Sequence, residues 1–501
     1  LDQKINARGI AVDVMAVKAA TIIVDAEKER LNEEIRLVSK NQIATCTAVQ
    51  QIKDYLYLRG VRVEDALAKS DVIEFLSETG LPQDCRKILE LRQEAGKAST
   101  SKLDAMLGRS NDSSPNGNRI RGSFQYSGAN TRRWAGRGLQ LQNLKRPKIA
   151  GAIIHEIITK LPTGLSAKEI DTLYGPPLTI LGDCIRGFLV AATGSRFLCC
   201  DFSSIEARVL AWLANETKVL EIFKTDGKVY EHAASSIFGV RVDQVDEIQR
   251  QVGKVAVLAL GYGGGVGAFQ TMAKGYGVNI ASAYASLLSV ADEEQREAAR
   301  RSFRENGKRY EGLSMEEYIA SELTKKLWRD ANPSIVQYWY DLEKAAIKAV
   351  LNPREKIAVR NVAYKTNGSF LWCQLPSGGV LSYPYPKVER SLTPWGAEKD
   401  GLTYMSEDGQ SHKWMRFKTY GGSLAENVTQ AVARDLLADA MLRLDYQSYW
   451  IVAHVHDEVV CEMPDGQGDL EEMALIMCQN PEWAKDLPIK ASGWSGPRYR
   501  K

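Results

Sequence analysis

Residues 451–463 read Ile451-Val452-Ala453-His454-Val455-His456-Asp457-Glu458-Val459-Val460-Cys461-Glu462-Met463. Apolar residues lead in, histidines and acids interrupt, and valines lead out. The pattern predicts a strand, a turn of acids and a second strand. A second stretch shares its character. Arg196-Phe197-Leu198-Cys199-Cys200-Asp201-Phe202 predicts a buried strand, and Ser203-Ser204-Ile205-Glu206-Ala207-Arg208 the start of a helix, with Ser203 or Ser204 as its cap. An unpaired buried carboxylate is destabilising, so acids at the ends of two buried strands imply a cation. Oxygen-only ligands favour Mg2+ or Mn2+ over zinc. Two carboxylates bridging a pair of such ions suit in-line phosphoryl transfer, one ion activating a 3′-hydroxyl and the other holding a triphosphate. Taken singly, Asp201 and Asp457 each read equally well as hairpin-turn residues.

Working outward, residues 244–262 predict a helix that ends in Gly261-Tyr262-Gly263-Gly264-Gly265. Arg250, Lys254 and Leu258 follow one another at successive turns of one face, with Tyr262 a further turn on. Two cations one turn apart make a phosphate clamp beside an apolar or aromatic platform. The plainer reading is a pair of solvated charges. Gly253 and Gly261 weigh against it, because a helical glycine costs ~1 kcal/mol relative to Ala and signals close approach by something else. Residues 119–148 hold eight Lys or Arg and no Asp or Glu, interleaved with Phe124, Tyr126 and Trp134. Such a block suits a surface that meets phosphates. Arg132, Arg133 and Arg137 would reach phosphates or base edges, and Gln142 and Asn143 suit minor-groove acceptors.

The chain of 501 residues is long for one domain, and 44% hydrophobic with 25% charged residues is ordinary for a globular protein. Apolar runs such as Val255 to Leu260 fall far short of the ~20 residues of a membrane helix. A net charge of +3 is too mild to settle a partner. Eight cysteines without a CxxC pattern predict reduced core thiols in a reducing compartment. The chain opens at Leu1 with no secretory signal, as expected of a fragment or a processed product. Helical spacing covers 15–40, 83–107, 334–351 and 424–444, and the charged segment 290–325 is also helical. Two strands flank the turn at 376–379, and the polar loop 108–118 is the best early boundary.

Together these residues carry a resemblance. Asp201-Phe202-Ser203-Ser204-Ile205-Glu206-Ala207-Arg208 resembles the first polymerase motif of the family A DNA polymerases. Arg250 and Lys254, with Tyr262-Gly263 after seven intervening residues, resemble the second, and His456-Asp457-Glu458 the third. Thr131-Arg132-Arg133 with Leu141-Gln142-Asn143 resembles the segment that meets the primer terminus, and Ile185-Arg186-Gly187-Phe188 the step before the first motif. Gln430 with Arg434-Asp435 is similar to the family's template-facing Gln helix. Lys97 to Lys102 resembles the thumb's duplex-gripping strip, and Arg498 to Lys501 the family's C-terminus. The likeness covers nearly the whole chain. Tyr126-Ser127-Gly128-Ala129-Asn130-Thr131 looks more like phage-type members than the cellular repair enzyme.

The resemblance implies an α+β fold with right-hand architecture: an antiparallel palm sheet, helical fingers and a helical thumb. Residues 1–118 would be mostly thumb, 119–211 and 353–501 the two parts of the palm, and 212–352 the fingers. The activity implied is DNA-directed DNA synthesis, extending a primer with dNTPs and releasing pyrophosphate. Asp201 and Asp457 would bind two Mg2+ ions, replaceable by Mn2+, with the Phe202 carbonyl as a further ligand. Arg250 and Lys254 would hold the triphosphate, and Tyr262 would stack near the templating base. Glu206 would exclude a 2′-hydroxyl while pairing with Tyr262. Arg133 and Gln430 would read the minor groove, and His456 and Glu458 would support the primer terminus. Arg186, Lys97, Lys102, Gln142 and Asn143 complete the expected DNA contacts. Leu258 stands where many relatives carry Phe or Tyr facing the sugar, and Tyr230 where cellular members have a triphosphate-contacting His, with His232 two residues on. The charged segment from Phe269 to Trp328 matches nothing in the family and is expected to elaborate the fingers.

Three other readings compete with this one. A single-subunit RNA polymerase lacks acids corresponding to Glu206 and Glu458. A nuclease is suggested by Asp25-Ala26-Glu27, but the helical spacing around these acids turns them to solvent, and no partner acids follow. An inactive DNA-binding scaffold has no need of Asp201, Lys254 and Asp457 together. A processivity factor or an upstream exonuclease, helicase or primase region is left open.

Overall fold

The structure, a computed structural model, describes residues 1–500 except 64–66, 78, 98, 99, 111–117, 311, 393–397 and 410. Most of the boundary loop expected at 108–118, and Ala98 and Ser99 of the strip at 97–102, lie outside the described residues.

A four-stranded antiparallel sheet forms the centre, in the order Ile451–Val455, Glu458–Pro464, Ser195–Phe202, Ala491–Gly496. Phe197, Leu198, Cys199 and Cys200 are all buried, so both faces of that strand are covered. This is why its sequence is an unbroken apolar run rather than an alternating one. The helix Gly421–Tyr446 lies against this sheet, against Ile205–Ala214 and against Pro333–Leu351. Its start is fixed by close backbone approach. A Cβ on Gly422 would sit 2.0 Å from the Tyr262 carbonyl oxygen, closer than any side chain allows.

Val14–Val38 is the long helix expected near the N-terminus, and it packs on Gln83–Ala95 and Ser101–Ser110. Leu37, near its end, is exposed. The single helix expected over 83–107 is two, with Gly96 capping the first. Residues 10–12 leave this helical group and pair with Arg119–Ile120 and Leu189–Val190, stitching the N-terminus to the sheet region.

A second helical group contains Val229–Phe238, Glu247–Leu260 and Val266–Tyr276. The segment that resembled nothing is helical too. Tyr284–Val290, Glu293–Asn306 and Met315–Ala331 pack into the same group. Capping boxes at Asp246/Gln249, Asp292/Gln295 and Ser314/Glu317 start three of these helices. The expected hairpin around 376–379 is formed by Phe370–Gln374 and Val380–Pro384. After it comes an unforeseen three-stranded antiparallel sheet, Lys387–Leu392, Glu398–Glu407 and Trp414–Thr419. All eight cysteines are free thiols, and seven of them are buried. No helix among the described residues is long and apolar enough to cross a membrane.

Candidate active site

The acids are positioned by strand register. Glu458 pairs directly with Asp201, and the Phe202 N–H donates to the Asp457 carbonyl at 3.2 Å. Asp201 and Asp457, far apart in sequence, therefore lie on neighbouring strand ends, and both are half-buried. His456 occupies the hairpin turn at φ 56°, and Ser204, just past the other strand, has φ 51°. Left-handed backbone at a non-glycine residue is a strain of ~1 kcal/mol or more that persists where surrounding structure enforces it. Here it brackets both acids. Ser204 stands at the helix N-cap, but its side chain makes no capping hydrogen bond, contrary to expectation.

Glu458 is the other residue expected to support the primer terminus. It is buried and accepts a 2.6 Å hydrogen bond from the Tyr499 hydroxyl. Burial, and then the Glu458 charge, push the Tyr499 phenol well above its ordinary range. Among the described residues no group of three His, Cys, Asp or Glu side chains forms a closed metal cage. Asp201, Asp457 and the Phe202 carbonyl would instead offer a short, all-oxygen set. That fits an ion such as Mg2+, which keeps water and takes its remaining ligands from a substrate's phosphates.

The cationic helix Glu247–Leu260 leans on Val229–Phe238. Arg250 Nε donates to Glu231 at 2.8 Å, which raises the guanidinium's pKa, and its guanidinium lies 5.9 Å from the Tyr230 ring. Lys254 Nζ lies 4.5 Å from the centre of the Tyr276 ring. The reason for Gly253 is now concrete: a Cβ there would lie 2.3 Å from the Tyr230 carbonyl. The close approach is by a neighbouring helix, not by a ligand. At the other end of the helix, successive carbonyls are held by different side chains. Trp339 Nε1 donates to Gly261 at 2.9 Å, the Tyr420 hydroxyl to Tyr262 at 3.4 Å, and Arg329 to Gly264 at 3.1 Å.

Glu206 is ion-paired with Arg133, and the Tyr262 hydroxyl donates to it at 3.5 Å. Burial, followed by the charges of Glu206 and Glu426, pushes the Tyr262 phenol well up. Glu206, Leu258 and Tyr262 border a largely apolar cavity of about 550 Å3, which His232 and Trp328 also line. His232 is held by Asp226 at 3.0 Å.

Arg133, Gln142, Asn143, Gln430 and His456 come from four separate segments and line one cleft of about 340 Å3. His454, for which the sequence suggested no role, lines it too. It is buried and stacks on Phe124 at 4.1 Å. Arg434 closes the same cleft, its guanidinium 4.2 Å from the Trp134 ring and 3.0 Å from Asp435. Burial first, and Arg434 second, hold the His454 imidazolium down to a pKa of about 3. The signal for His454 was a histidine set among fully buried aliphatics.

A folded-state pKa below the ordinary 6.5 means that folding favours neutral His454. The associated stability is complete above about pH 6.5 and declines as pH falls towards about 3, by at most about 1.4 kcal/mol per pH unit. Urea unfolding at pH 7 and pH 5 should show this decline, reduced in His454→Gln. Identical pH dependence in the two proteins would show that His454 is not the titrating group.

Four residues expected to contact DNA are engaged within the chain. Arg186 is buried and donates to the carbonyls of Leu144 at 2.7 Å and Lys145 at 2.9 Å, bracing the basic block from within. Lys102 donates to the Leu139 carbonyl at 2.9 Å, and Lys97 is held by Glu94 and Thr179. Arg132 is tied to Asp435 at 3.0 Å.

The model of DNA polymerase family A matches residues 16–287. The DNA polymerase of Bacillus phage SP02 is 38% identical over the whole chain, which spans 70% of that protein. The thermostable DNA polymerase I of Thermus thermophilus is 25% identical over 52% of the chain and 28% of its own length. Among solved structures, the POL domain of Pol1 from M. smegmatis, in complex with DNA primer-template and dNTP, has the same fold. Its TM-score is 0.58 at 18% identity, over 98% of this chain and 67% of that one. The chain belongs to DNA polymerase family A. It is a DNA-directed DNA polymerase with the mixed α+β architecture of a polymerase domain, and its family generally uses divalent metal ions.

Proposed function

We propose that this polymerase extends a primer 3′-end by two-metal nucleotidyl transfer, with Asp201, Asp457 and the Phe202 carbonyl as the protein's metal ligands. The observation that carries this reading is the backbone hydrogen bond from Phe202 to Asp457, beside the Glu458–Asp201 pair. When bound, Mg2+ supplies Lewis-acid activation of the primer hydroxyl and neutralises charge on the triphosphate. Arg250 and Lys254 orient that triphosphate, Tyr230 stands beside Arg250, and Tyr262 borders the templating position. Glu206, held by Arg133, forms the wall against a 2′-hydroxyl. Arg133, Gln142, Asn143, Gln430 and His456 read the minor groove of the newly formed pair from their common cleft. Glu458, Arg186, Lys97 and Lys102 brace these surfaces from behind.

In this reading residues 1–118 are mostly thumb, 119–211 and 353–501 palm, and 212–352 fingers. The partners are primer–template DNA and dNTPs, and the free, mostly buried thiols suit the reducing cytoplasm of a bacterial or phage-infected cell. Exonuclease activity is not expected in this chain. Asp25 is exposed, but Glu27, expected at the surface, is buried and held by Arg30 at 2.6 Å.

A labelled primer on a longer template should be extended with dNTPs and Mg2+ and left unchanged when the ion is chelated. Primer–template affinity should fall steeply between low and moderate salt, by an order of magnitude or more, as phosphate counterions are displaced. Extension that persists under chelation would refute the metal reading. Shortening of a single strand without dNTPs would refute the absence of exonuclease.

A further inference from the structure

The three-stranded sheet at 387–419 has no part in the reading above. One of its faces is turned inward: Leu402 and Thr419 are buried, and Tyr404 packs edge-on to Tyr383 at 5.1 Å. The outer strand, Trp414–Thr419, pairs on one side only, so it is a sheet edge. By the two-residue period of a strand, Trp414, Arg416 and Lys418 share the other face, where Arg416 is held by the Tyr385 carbonyl at 3.0 Å and the Thr403 hydroxyl at 3.1 Å and Trp414 and Lys418 are exposed. Trp414 is 55% exposed, and Lys413 and Lys418 are exposed and make no ion pair among the described residues. From Ser411 to Tyr420 the chain has three Lys or Arg and no Asp or Glu. One acid, Glu407, stands directly across the ladder from Trp414, where it is engaged by His412 at 2.7 Å, and Asp408 lies in the hairpin beyond it.

Two contacts connect this sheet to the active site. Tyr420, half exposed at the end of the strip, donates to the Tyr262 carbonyl at 3.4 Å. Asn130, in the basic block, donates to Ser406 at 3.2 Å. The strip thus starts beside the residue that borders the templating position and runs outward. Exposed rings separated by unpaired lysines are what a flexible single strand requires, with bases stacking on the rings and phosphates meeting the cations. A protein-binding core would be more apolar and depleted of lysine.

We propose that the strip from Tyr420 to Trp414 binds single-stranded DNA, holding the template strand that has not yet reached the active site. This rests on the polymerase reading and extends it to a surface outside the catalytic cleft. The test measures affinity of the full chain for two primer–templates with the same duplex. One carries a single unpaired template nucleotide and the other an overhang of roughly ten. The intact chain should bind the longer overhang about 10-fold more tightly. Trp414→Ala with Lys418→Ala should remove that gain and leave affinity and extension on the short overhang unchanged. Trp414→Phe should keep most of the gain. Lys413→Gln with Lys418→Gln, changing only exposed side chains, should weaken its salt dependence.

A gain that survives the Trp414→Ala, Lys418→Ala change overturns the proposal. So does an equal loss on both substrates. Failure of the polymerase reading is seen separately, as no extension by the intact chain on either substrate.

Discussion

Replacing Asp457 with Asn should abolish primer extension, lowering kcat by on the order of 1,000-fold or more, while primer–template affinity changes by less than about 2-fold. Asn has nearly the volume of Asp, so the hairpin turn keeps its packing. The contact that aligns the two strands is made by the main-chain carbonyl of Asp457, which any side chain leaves intact. The cleft assigned to DNA is lined by Arg133, Gln142, Asn143 and Gln430, none of which the substitution touches. What is lost is one negative oxygen where a cation is to be held, so the defect belongs in the chemical step. Single-turnover extension, with binding measured on the same DNA, separates the two effects. Near-normal turnover would remove Asp457 from the metal site, and a large loss of DNA affinity would move its role to binding.

Replacing Glu206 with Ala should raise acceptance of ribonucleotides relative to deoxynucleotides by on the order of 100-fold. Glu206 is held in place from two sides, by the Arg133 ion pair and by the Tyr262 hydroxyl, so it forms a fixed wall rather than a mobile side chain. Truncation removes the carboxylate and extends the neighbouring 550 Å3 cavity into the space it occupied. The ratio of kcat/KM for each dNTP and its rNTP is the measurement. Unchanged selectivity would show that discrimination resides elsewhere. A loss of kcat for dNTPs that outweighs any gain for rNTPs would mean that Glu206 acts by orienting Tyr262.

The acids and the cationic helix were readable because each follows a short-range rule. A fully covered strand is an apolar run, and a helix face repeats every turn. The shared cleft of Arg133, Gln430 and His456 was reachable through family resemblance, since no periodicity links residues so distant in sequence. Long-range partnership was not readable. Arg186, Lys97 and Lys102 have the composition of DNA contacts, yet the packed chain engages them with carbonyls, a carboxylate and a hydroxyl of its own. Glu27 was expected in solvent because acids usually are, but Arg30 one turn on lets it be buried. The sheet at 387–419 escaped notice because Glu398–Glu407 opens with charges and a glycine, and only its cross-strand partners make it a strand.

The cationic helix has unequal ends. Its C-terminal carbonyls are fastened by Trp339, Tyr420 and Arg329, while its first turn, around Ile248, projects into solvent. Near Arg250 the helix is braced by Val229–Phe238, so a rotation about the fastened end would carry that neighbour along and sweep Arg250 through a wider arc than Tyr262. With Lys254 between them, the charges would travel inward to meet an arriving polyanion while the aromatic ring near the fulcrum merely tilts, coupling a large excursion to a small rotation.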